Sequence, residues 1–133
     1  MQASRGQVPT SRPVISIVDD DESMREAAKG LLRSLGYNAV AFPSAEDFLH
    51  ARQLSQTTCL IADINMPGMS GLDLYRHLSS SGKPIPTILI TAYPDARARD
   101  SALKAGVICY LSKPFEESSL LSCIQLALAP DDP

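Results

Sequence analysis

The sequence predicts a doubly wound α/β domain with a five-stranded parallel sheet. Three observations lead to this prediction: short runs rich in Ile, Leu and Val, helical patterns between them, and a regular alternation of the two. Such apolar runs are typical of strands that are covered on both faces. Strands that alternate with helices imply parallel pairing, right-handed crossovers and helices on both faces of the sheet. The 133 residues suit one domain with a single core.

Five segments are predicted to be strands. Four are strongly apolar, and the second along the chain, which follows Gly36, is weaker. In order they are residues 14–18, 38–42, 59–62, 87–91 and 107–111. In parallel sheets, ligands bind beyond the carboxyl ends of the strands, so that edge is where chemistry is expected.

The helices between the strands are marked by capping residues. Gly36 stands where a C′ glycine ends the first helix, and Ser44 to Asp47 has the spacing of a capping box. Pro94 is predicted at the first position of the fourth helix, which ends near Gly106. The apolar positions of the first and last helices are Met24, Ala27, Ala28, Leu31, Leu32 and Leu35, and Leu120, Leu121, Ile124 and Leu128.

Composition and charge exclude several kinds of protein. The net charge is −3 and no predicted helix carries a basic stripe, so we expect no nucleic acid to bind this chain. No apolar run approaches the roughly 18 residues of a membrane span, and no membrane association is expected. Residues 1–12 are polar and are predicted to be a disordered tail, 13–129 the domain, and 130–133 a tail or the start of a linker.

Three cysteines, Cys59, Cys109 and Cys123, are odd in number and lack CxxC spacing. Each adjoins an apolar segment, and free cysteine behaves as a small hydrophobic residue. The sequence therefore predicts reduced core cysteines in a cytoplasmic protein.

Polar side chains follow four of the predicted strands. Asp19 and Asp20 come after the first, Asp63 after the third and Lys113 after the fifth, while Thr91 ends the fourth. An Asp-rich turn alone is usually only a helix N-cap. Four successive strand ends that all carry polar groups point instead to one shared site.

Carboxylates that meet at one edge repel each other, by about 4 kcal/mol for a pair at 4 Å and an effective dielectric of 20. A hard divalent cation removes this repulsion, and ligands that are all oxygen suit Mg²⁺, or Mn²⁺, better than zinc. Such a metal serves phosphoryl transfer. One carboxylate can then act as a nucleophile, with the ammonium of Lys113 and the hydroxyl of Thr91 available to phosphoryl oxygens.

These residues resemble the receiver (CheY-like) family of two-component response regulators. The matching segments are Val18-Asp19-Asp20, the run from Asp63 to Gly71 (DINMPGMSG), Ile90-Thr91-Ala92 and Lys113-Pro114-Phe115. The resemblance covers residues 13 to 128 and implies a flavodoxin-like (βα)5 fold with strand order 2-1-3-4-5. The wording of the motifs is also similar to receivers that precede a LuxR-like DNA-binding domain, which would lie outside these residues.

The resemblance implies a role for each residue at the edge. Asp63 would accept a phosphoryl group, and Asp20 and Asp63 would bind Mg²⁺ directly. The backbone carbonyl of Asn65 would be a third metal ligand, and Asp19 would act mainly through metal-bound water. Lys113 would pair with the phosphoryl group, and the bond that follows it, to Pro114, is cis in the family.

The resemblance also implies a switch and a set of partners. Thr91 would move onto the phosphoryl oxygens while Tyr110 turns inward. The donor would be a sensor histidine kinase or a phosphotransfer protein, and a downstream partner or output domain would read the helix 4–strand 5–helix 5 face, which also offers a surface for a homodimer. The chain would be a cytoplasmic signalling module that assists its own phosphorylation and dephosphorylation, not a metabolic enzyme.

Two other functions share parts of this pattern. A phosphatase of the haloacid dehalogenase type also forms an aspartyl phosphate, but Ser23 stands where its D-x-D-x-[TV] motif needs Thr or Val, and the chain has no room for a cap domain. A flavodoxin-like flavin binder needs a Ser/Thr-rich phosphate loop after the first strand, where this chain has acids.

Overall fold

The computed structural model describes residues 13–129, which form five parallel strands and five α-helices. The elements are β1 (Val14–Val18), α1 (Glu22–Ser34), β2 (Asn38–Phe42), α2 (Ala45–Leu49), a 3₁₀ turn (Arg52–Gln56), β3 (Thr57–Asp63), α3 (Gly71–Ser80), β4 (Thr87–Thr91), α4 (Ala96–Ala105), β5 (Cys109–Ser112) and α5 (Glu117–Leu128). The strand order is β2-β1-β3-β4-β5, as expected for a flavodoxin-like fold. The predicted tails, 1–12 and 130–133, lie outside the described residues.

Two apolar cores cover the two faces of the sheet. Alternate residues of β1, β3 and β4 point to opposite faces, so Ile15 and Ile17 pack with α1 and α5, whereas Val18 packs with α2 and α3. Helices on both faces explain why the middle residues of the central strands are buried and mostly apolar. Within residues 13–129, none of the helices is long and apolar enough to cross a bilayer.

The cap signals of three helices are confirmed. Asp21 caps α1 by accepting the N–H groups of Ser23 and Met24, and Gly36 follows α1 with φ 94°. Ser44 accepts the N–H of Asp47 at the start of α2, which is one of the two bonds of the predicted capping box. Gly106, with φ 113°, ends α4.

Pro94 was predicted at the first position of the fourth helix, and this is wrong. The N-cap is Asp95, whose carboxylate accepts the N–H of Ala98 at 2.9 Å, and α4 begins at Ala96. A capping carboxylate satisfies an otherwise unpaired helix N–H, which a proline cannot do. Pro94 therefore precedes the cap.

Two strands have bounds that differ from the prediction. β3 begins earlier, at Thr57, which pairs with Val14 of β1, and ends later, at Asp63, which pairs with Ile90 of β4. β5 begins at Cys109, not at Val107. The N–H of Val107 instead donates to the Ala102 carbonyl and closes the end of α4.

The prediction of reduced cysteines is wrong for two of the three. Cys109 in β5 and Cys123 in α5 form a disulfide, with their Cα atoms 6.1 Å apart. Odd number and spacing along the chain say nothing about which cysteines the fold brings together in space. Cys59 is free and fully buried in β3, as predicted.

Candidate functional site

The carboxyl edge of the sheet brings three acidic side chains together. Asp19 directly follows β1 and Asp63 ends β3, and both are buried, while Asp20 is exposed beside them. One carboxylate oxygen from each lies within 4.8 Å of the other two. The convergence expected from the parallel topology is therefore confirmed, although β2 and its flanking helices separate β1 from β3 in the sequence.

Lys113 reaches the same cluster from the turn after β5. Its Nζ lies 3.0 Å from Oδ2 of Asp19 and 3.2 Å from Oδ2 of Asp63. The backbone N–H of Lys113 donates to the carbonyl of Thr91 at 2.7 Å, which holds the turn against β4. The peptide bond from Lys113 to Pro114 is cis, as the resemblance implied.

Opposing effects act on the ionisation of the cluster. Burial raises the pKa of Asp19 and the neighbouring Asp63 carboxylate adds to that rise, against hydrogen bonds from the Asp21 N–H and from Lys113. Burial alone would lower the pKa of Lys113, but its bonds and charge pairing with Asp19 and Asp63 outweigh burial and raise it. Lys113 is therefore held firmly as an ammonium between two carboxylates.

Backbone groups fix the two buried carboxylates. Oδ1 of Asp63 accepts the Asn65 N–H at 3.0 Å, and Oδ1 of Asp19 accepts the Asp21 N–H at 3.0 Å. Each acid thus bonds to the residue two positions on, an Asx-type turn that sets the direction of the side chain. Both carboxylates turn their second oxygen, Oδ2, toward Lys113.

Thr91 lies in the site but bonds to Asn65. Its hydroxyl donates to Oδ1 of Asn65 at 2.6 Å and accepts the Tyr93 N–H at 3.0 Å. Thr91 is buried at the end of β4, so its hydroxyl joins the loop after β3 to the loop before α4. The resemblance concerned the phosphorylated state, in which Thr91 would instead meet phosphoryl oxygens.

Tyr110 lies on β5 with a half-buried ring. Its hydroxyl oxygen is 3.2 Å from the backbone nitrogen of Asp95, whose N–H donates to it. The hydroxyl therefore contacts the N-cap residue of α4, two residues after Tyr93, whose N–H bonds to Thr91.

Three features of the site were not foreseen from the sequence. Arg25 of α1 donates from Nη1 to the Asp19 carbonyl at 2.8 Å. Arg25 lies one helical turn after the N-cap Asp21, and this spacing could have suggested that its side chain reaches back to the turn after β1. Ser70 and Asp73 form a full capping box at the start of α3, with the same S-x-x-D spacing that Ser44 shows. Gly71 presses against Asp63: a Cβ there would meet the Asp63 carbonyl oxygen at 2.6 Å.

The donor set fits a hard divalent cation. All three converging ligands are carboxylates, two of them buried, and oxygen is the donor that Mg²⁺ and Mn²⁺ prefer. One ammonium cannot neutralise three carboxylates, so the cluster keeps excess negative charge that a cation would offset.

Comparisons with known proteins all indicate the same family. The family model described as the response regulator receiver domain matches residues 15–125. The chain is 44% identical over 115 residues to the response regulator protein TodT of Pseudomonas putida, covering 86% of this chain and 51% of that protein. It is 32% identical to the transcriptional regulatory protein FixJ of Bradyrhizobium diazoefficiens, covering 93% of this chain and 60% of that one. The chain spans about half the length of the curated relatives it matches.

Solved structures agree with the fold. The response regulator StyR superposes with a TM-score of 0.81 at 43% identity, covering 89% of this chain and 60% of that one. The chemotaxis protein CheY4 of Vibrio cholerae superposes with a TM-score of 0.80 at 23% identity, which bears on the fold alone, and covers 89% and 100% of the two chains.

Proposed function

The chain belongs to the family of response regulator receiver domains, which act in signalling and not as metabolic enzymes, and we propose that its phosphoryl acceptor is Asp63. Acceptance of a phosphoryl group on an aspartate is the general function of this family. The single observation that supports Asp63 is its place in the cluster: its Oδ2 lies 3.2 Å from Nζ of Lys113, and one of its oxygens lies within 4.8 Å of both other acids. Asp20 is exposed, and the side chain of Asp19 is wholly buried, whereas that of Asp63 keeps 6% exposure through which a donor can reach it.

The proposed reaction transfers one phosphoryl group. A carboxylate oxygen of Asp63 forms a bond to phosphorus as the bond from phosphorus to the donor's histidine nitrogen, or to the carboxylate of acetyl phosphate, breaks. The leaving group takes the electron pair of that bond. Lys113, now 3.2 Å from Asp63, would turn to the new phosphoryl oxygens.

Asp19, Asp20 and Asp63 would hold the Mg²⁺, with the Asn65 backbone carbonyl as a further ligand and Mn²⁺ as a substitute. The metal, when bound, neutralises charge that develops on the transferred group. As the family resemblance implies, Asp19 would act mainly through metal-bound water.

Thr91 and Tyr110 are proposed to report the phosphorylation. The Thr91 hydroxyl can serve a phosphoryl oxygen only if it leaves Asn65, which also frees the Tyr93 N–H. Tyr110 would then turn inward and leave the Asp95 N–H at the start of α4. The domain would also promote loss of its own phosphoryl group.

We propose a sensor histidine kinase or a phosphotransfer protein as the donor, in the cytoplasm. The output would be a partner or a further domain. The names of relatives such as the transcriptional regulatory protein FixJ favour a role in regulating transcription, for which a LuxR-like output domain would bind DNA. The chain spans about half the length of such relatives, so these partners are proposed from the family and from the names of the relatives alone.

A homodimer through the α4–β5–α5 face is the proposed assembly. Three of the four exposed large apolar side chains of residues 13–129 belong to α4, α5 or the residue shortly before α4, namely Tyr93 (75%), Leu103 (38%) and Leu126 (63%), and an interface between two copies would cover them. Leu126→Ser should weaken dimerisation of the phosphorylated protein in sedimentation, whereas Leu35→Ser, at an exposed leucine of α1, should not. Equal weakening by both variants would contradict this assignment of the face.

The test of the function is mass spectrometry after treatment with acetyl phosphate. With Mg²⁺ the wild type should gain the mass of one phosphoryl group, which hydroxylamine removes as it does from an acyl phosphate. Chelation of Mg²⁺ with EDTA should prevent the gain. Asp63→Asn should gain nothing, and the control Asp100→Asn, at an exposed aspartate of α4, should behave as wild type. A phosphoryl group on Asp63→Asn, at wild-type rate, would refute the assignment.

A further inference from the structure

We propose that Cys109 and Cys123 form a reversible thiol–disulfide site that sets how tightly α5 is held to the edge of the sheet. Cys109 is the first residue of β5, and Cys123 lies in the middle of α5. Their Cα atoms are 6.1 Å apart, within the range that a disulfide spans without backbone movement.

The bond joins two elements that share few other contacts. β5 is an edge strand, and within the described residues it pairs only with β4. α5 packs mainly on β3 and β4, through Leu120, Ile124 and Ala127, and Cys109 and Leu111 of β5 border the same core. The disulfide therefore adds a covalent tie between α5 and the strand it follows to this noncovalent packing.

The loop that the bond closes includes part of the acid site. Tyr110 and Lys113 both lie between the two cysteines, which are 14 positions apart. Lys113 is anchored at the other side by Asp19 and Asp63. Reduction leaves this segment held at the lysine and along β4, while α5 keeps only its noncovalent packing.

The third cysteine is chemically separate from the pair. Cys59 is fully buried, and burial raises the pKa of its thiol to about 12, so it stays protonated at neutral pH and does not enter thiol exchange. Cys109 is partly exposed and gives a small reagent access to one sulfur, whereas Cys123 is 6% exposed.

The oxidant is a low-molecular-weight disulfide such as oxidised glutathione. The Cys109 thiolate attacks it, forms a mixed disulfide and releases one small thiol. The Cys123 thiolate then displaces the second small thiol and closes the protein bond. Two protein S–H groups become one S–S bond, and two electrons and two protons end on the two small thiols. In a compartment kept reducing by glutathione such a bond is transient and responds to oxidant.

The test counts thiols in the full chain after equilibration with reduced and oxidised glutathione in varied ratio. Samples are quenched with acid, denatured, alkylated and weighed by mass spectrometry. We expect three alkylated cysteines in the most reducing buffer and one, Cys59, in the most oxidising buffer. Cys123→Ser should form no intramolecular bond, and Cys59→Ala should keep the paired loss of two thiols. Three free thiols in every buffer, or one in every buffer, would refute a reversible site.

Hydrogen exchange tests the proposed effect on α5. The amides of residues 117–128 should exchange roughly tenfold faster in the reduced protein, because α5 can then open locally without remaining bonded to β5. The amides of α3, residues 71–80, serve as the internal control and should not change. Reduction should also lower Tm by on the order of 10 °C in wild type and leave Cys123→Ser unchanged. Equal exchange of the α5 amides in both redox states would overturn the proposal that the disulfide holds α5 to the sheet. Neither measurement needs phosphorylation, so a failure of the phosphoryl assignment would not affect it.

Discussion

Removal of the Lys113 ammonium should destabilise the protein by several kcal/mol when no divalent metal is present. The substitution Lys113→Met keeps a long apolar side chain but leaves three carboxylates that lie within 4.8 Å of one another without a counter-charge. At an effective dielectric of 20, the contacts at 3.0 and 3.2 Å are each worth about 5 kcal/mol of attraction. The variant also avoids the cost of removing the ammonium from water on folding, which offsets part of this attraction. The loss of one partner from a buried pair typically costs about 3–5 kcal/mol in total.

The pH dependence of this loss follows from Asp19. Burial already raises its pKa above the usual 3.8, and Lys113 opposes that rise, so Lys113→Met raises it further. Between the unfolded pKa of Asp19 and its raised folded value, the folded variant binds more protons than the unfolded chain. Its stability therefore rises as pH falls through this window, and the loss of stability relative to wild type should be largest near neutral pH and narrow as the pH falls toward the usual pKa of 3.8.

Urea denaturation followed by circular dichroism, in EDTA at several pH values, measures this deficit. Added Mg²⁺ should reduce it, because a cation that binds the folded state supplies the missing positive charge. The control Lys104→Met removes an exposed lysine from the last turn of α4 and should cost at most about 0.5 kcal/mol. If Lys113→Met were as stable as Lys104→Met in EDTA at every pH, the electrostatic account of the cluster would be wrong.

Three further substitutions test how neighbouring residues support the site. Gly71→Ala should destabilise the protein by about 1–3 kcal/mol in urea denaturation, because its Cβ would meet the Asp63 carbonyl oxygen at 2.6 Å. The control Gly30→Ala lies in mid-helix with nothing within 4 Å and should stabilise the protein by up to about 1 kcal/mol. A gain in stability for both variants would contradict the close approach of Gly71 to Asp63. Thr91→Val should lose about 1–3 kcal/mol, since it strands two bonded groups, and Thr91→Ser should recover most of it; a variant with valine as stable as wild type would refute those bonds. Tyr110→Phe should cost no more than about 1 kcal/mol in the same assay, because its hydroxyl contact at 3.2 Å is partly exposed to water, and a larger loss would mean that the hydroxyl holds α4 in place.

The arrangement of strands and acids could be predicted from the sequence because it follows from topology. Parallel strands send their carboxyl ends to one edge, so Asp19, Asp63 and Lys113 had to approach once the alternation of strands and helices was recognised. All five predicted strands were confirmed, and only the bounds of β3 and β5 differ from the prediction.

Features that depend on side-chain geometry could not be predicted in the same way. The pairing of Cys109 with Cys123 depends on the distance between α5 and β5, which no spacing rule encodes. The start of α4 was misplaced because Pro94 and Asp95 both suit a helix start, and only the bond from Asp95 to Ala98 decides between them.

The paired bonds of the Thr91 hydroxyl make the two loops at the edge of the sheet mutually dependent. One oxygen serves Asn65 after β3 and Tyr93 before α4, so neither loop can lose its bond to Thr91 by rotation of that side chain while the other keeps its own. Spectroscopic labels placed on the two loops should therefore relax with one common rate constant after phosphorylation. A single rotation of the Thr91 side chain would thus couple the proposed phosphorylation of Asp63 to a change at the start of α4.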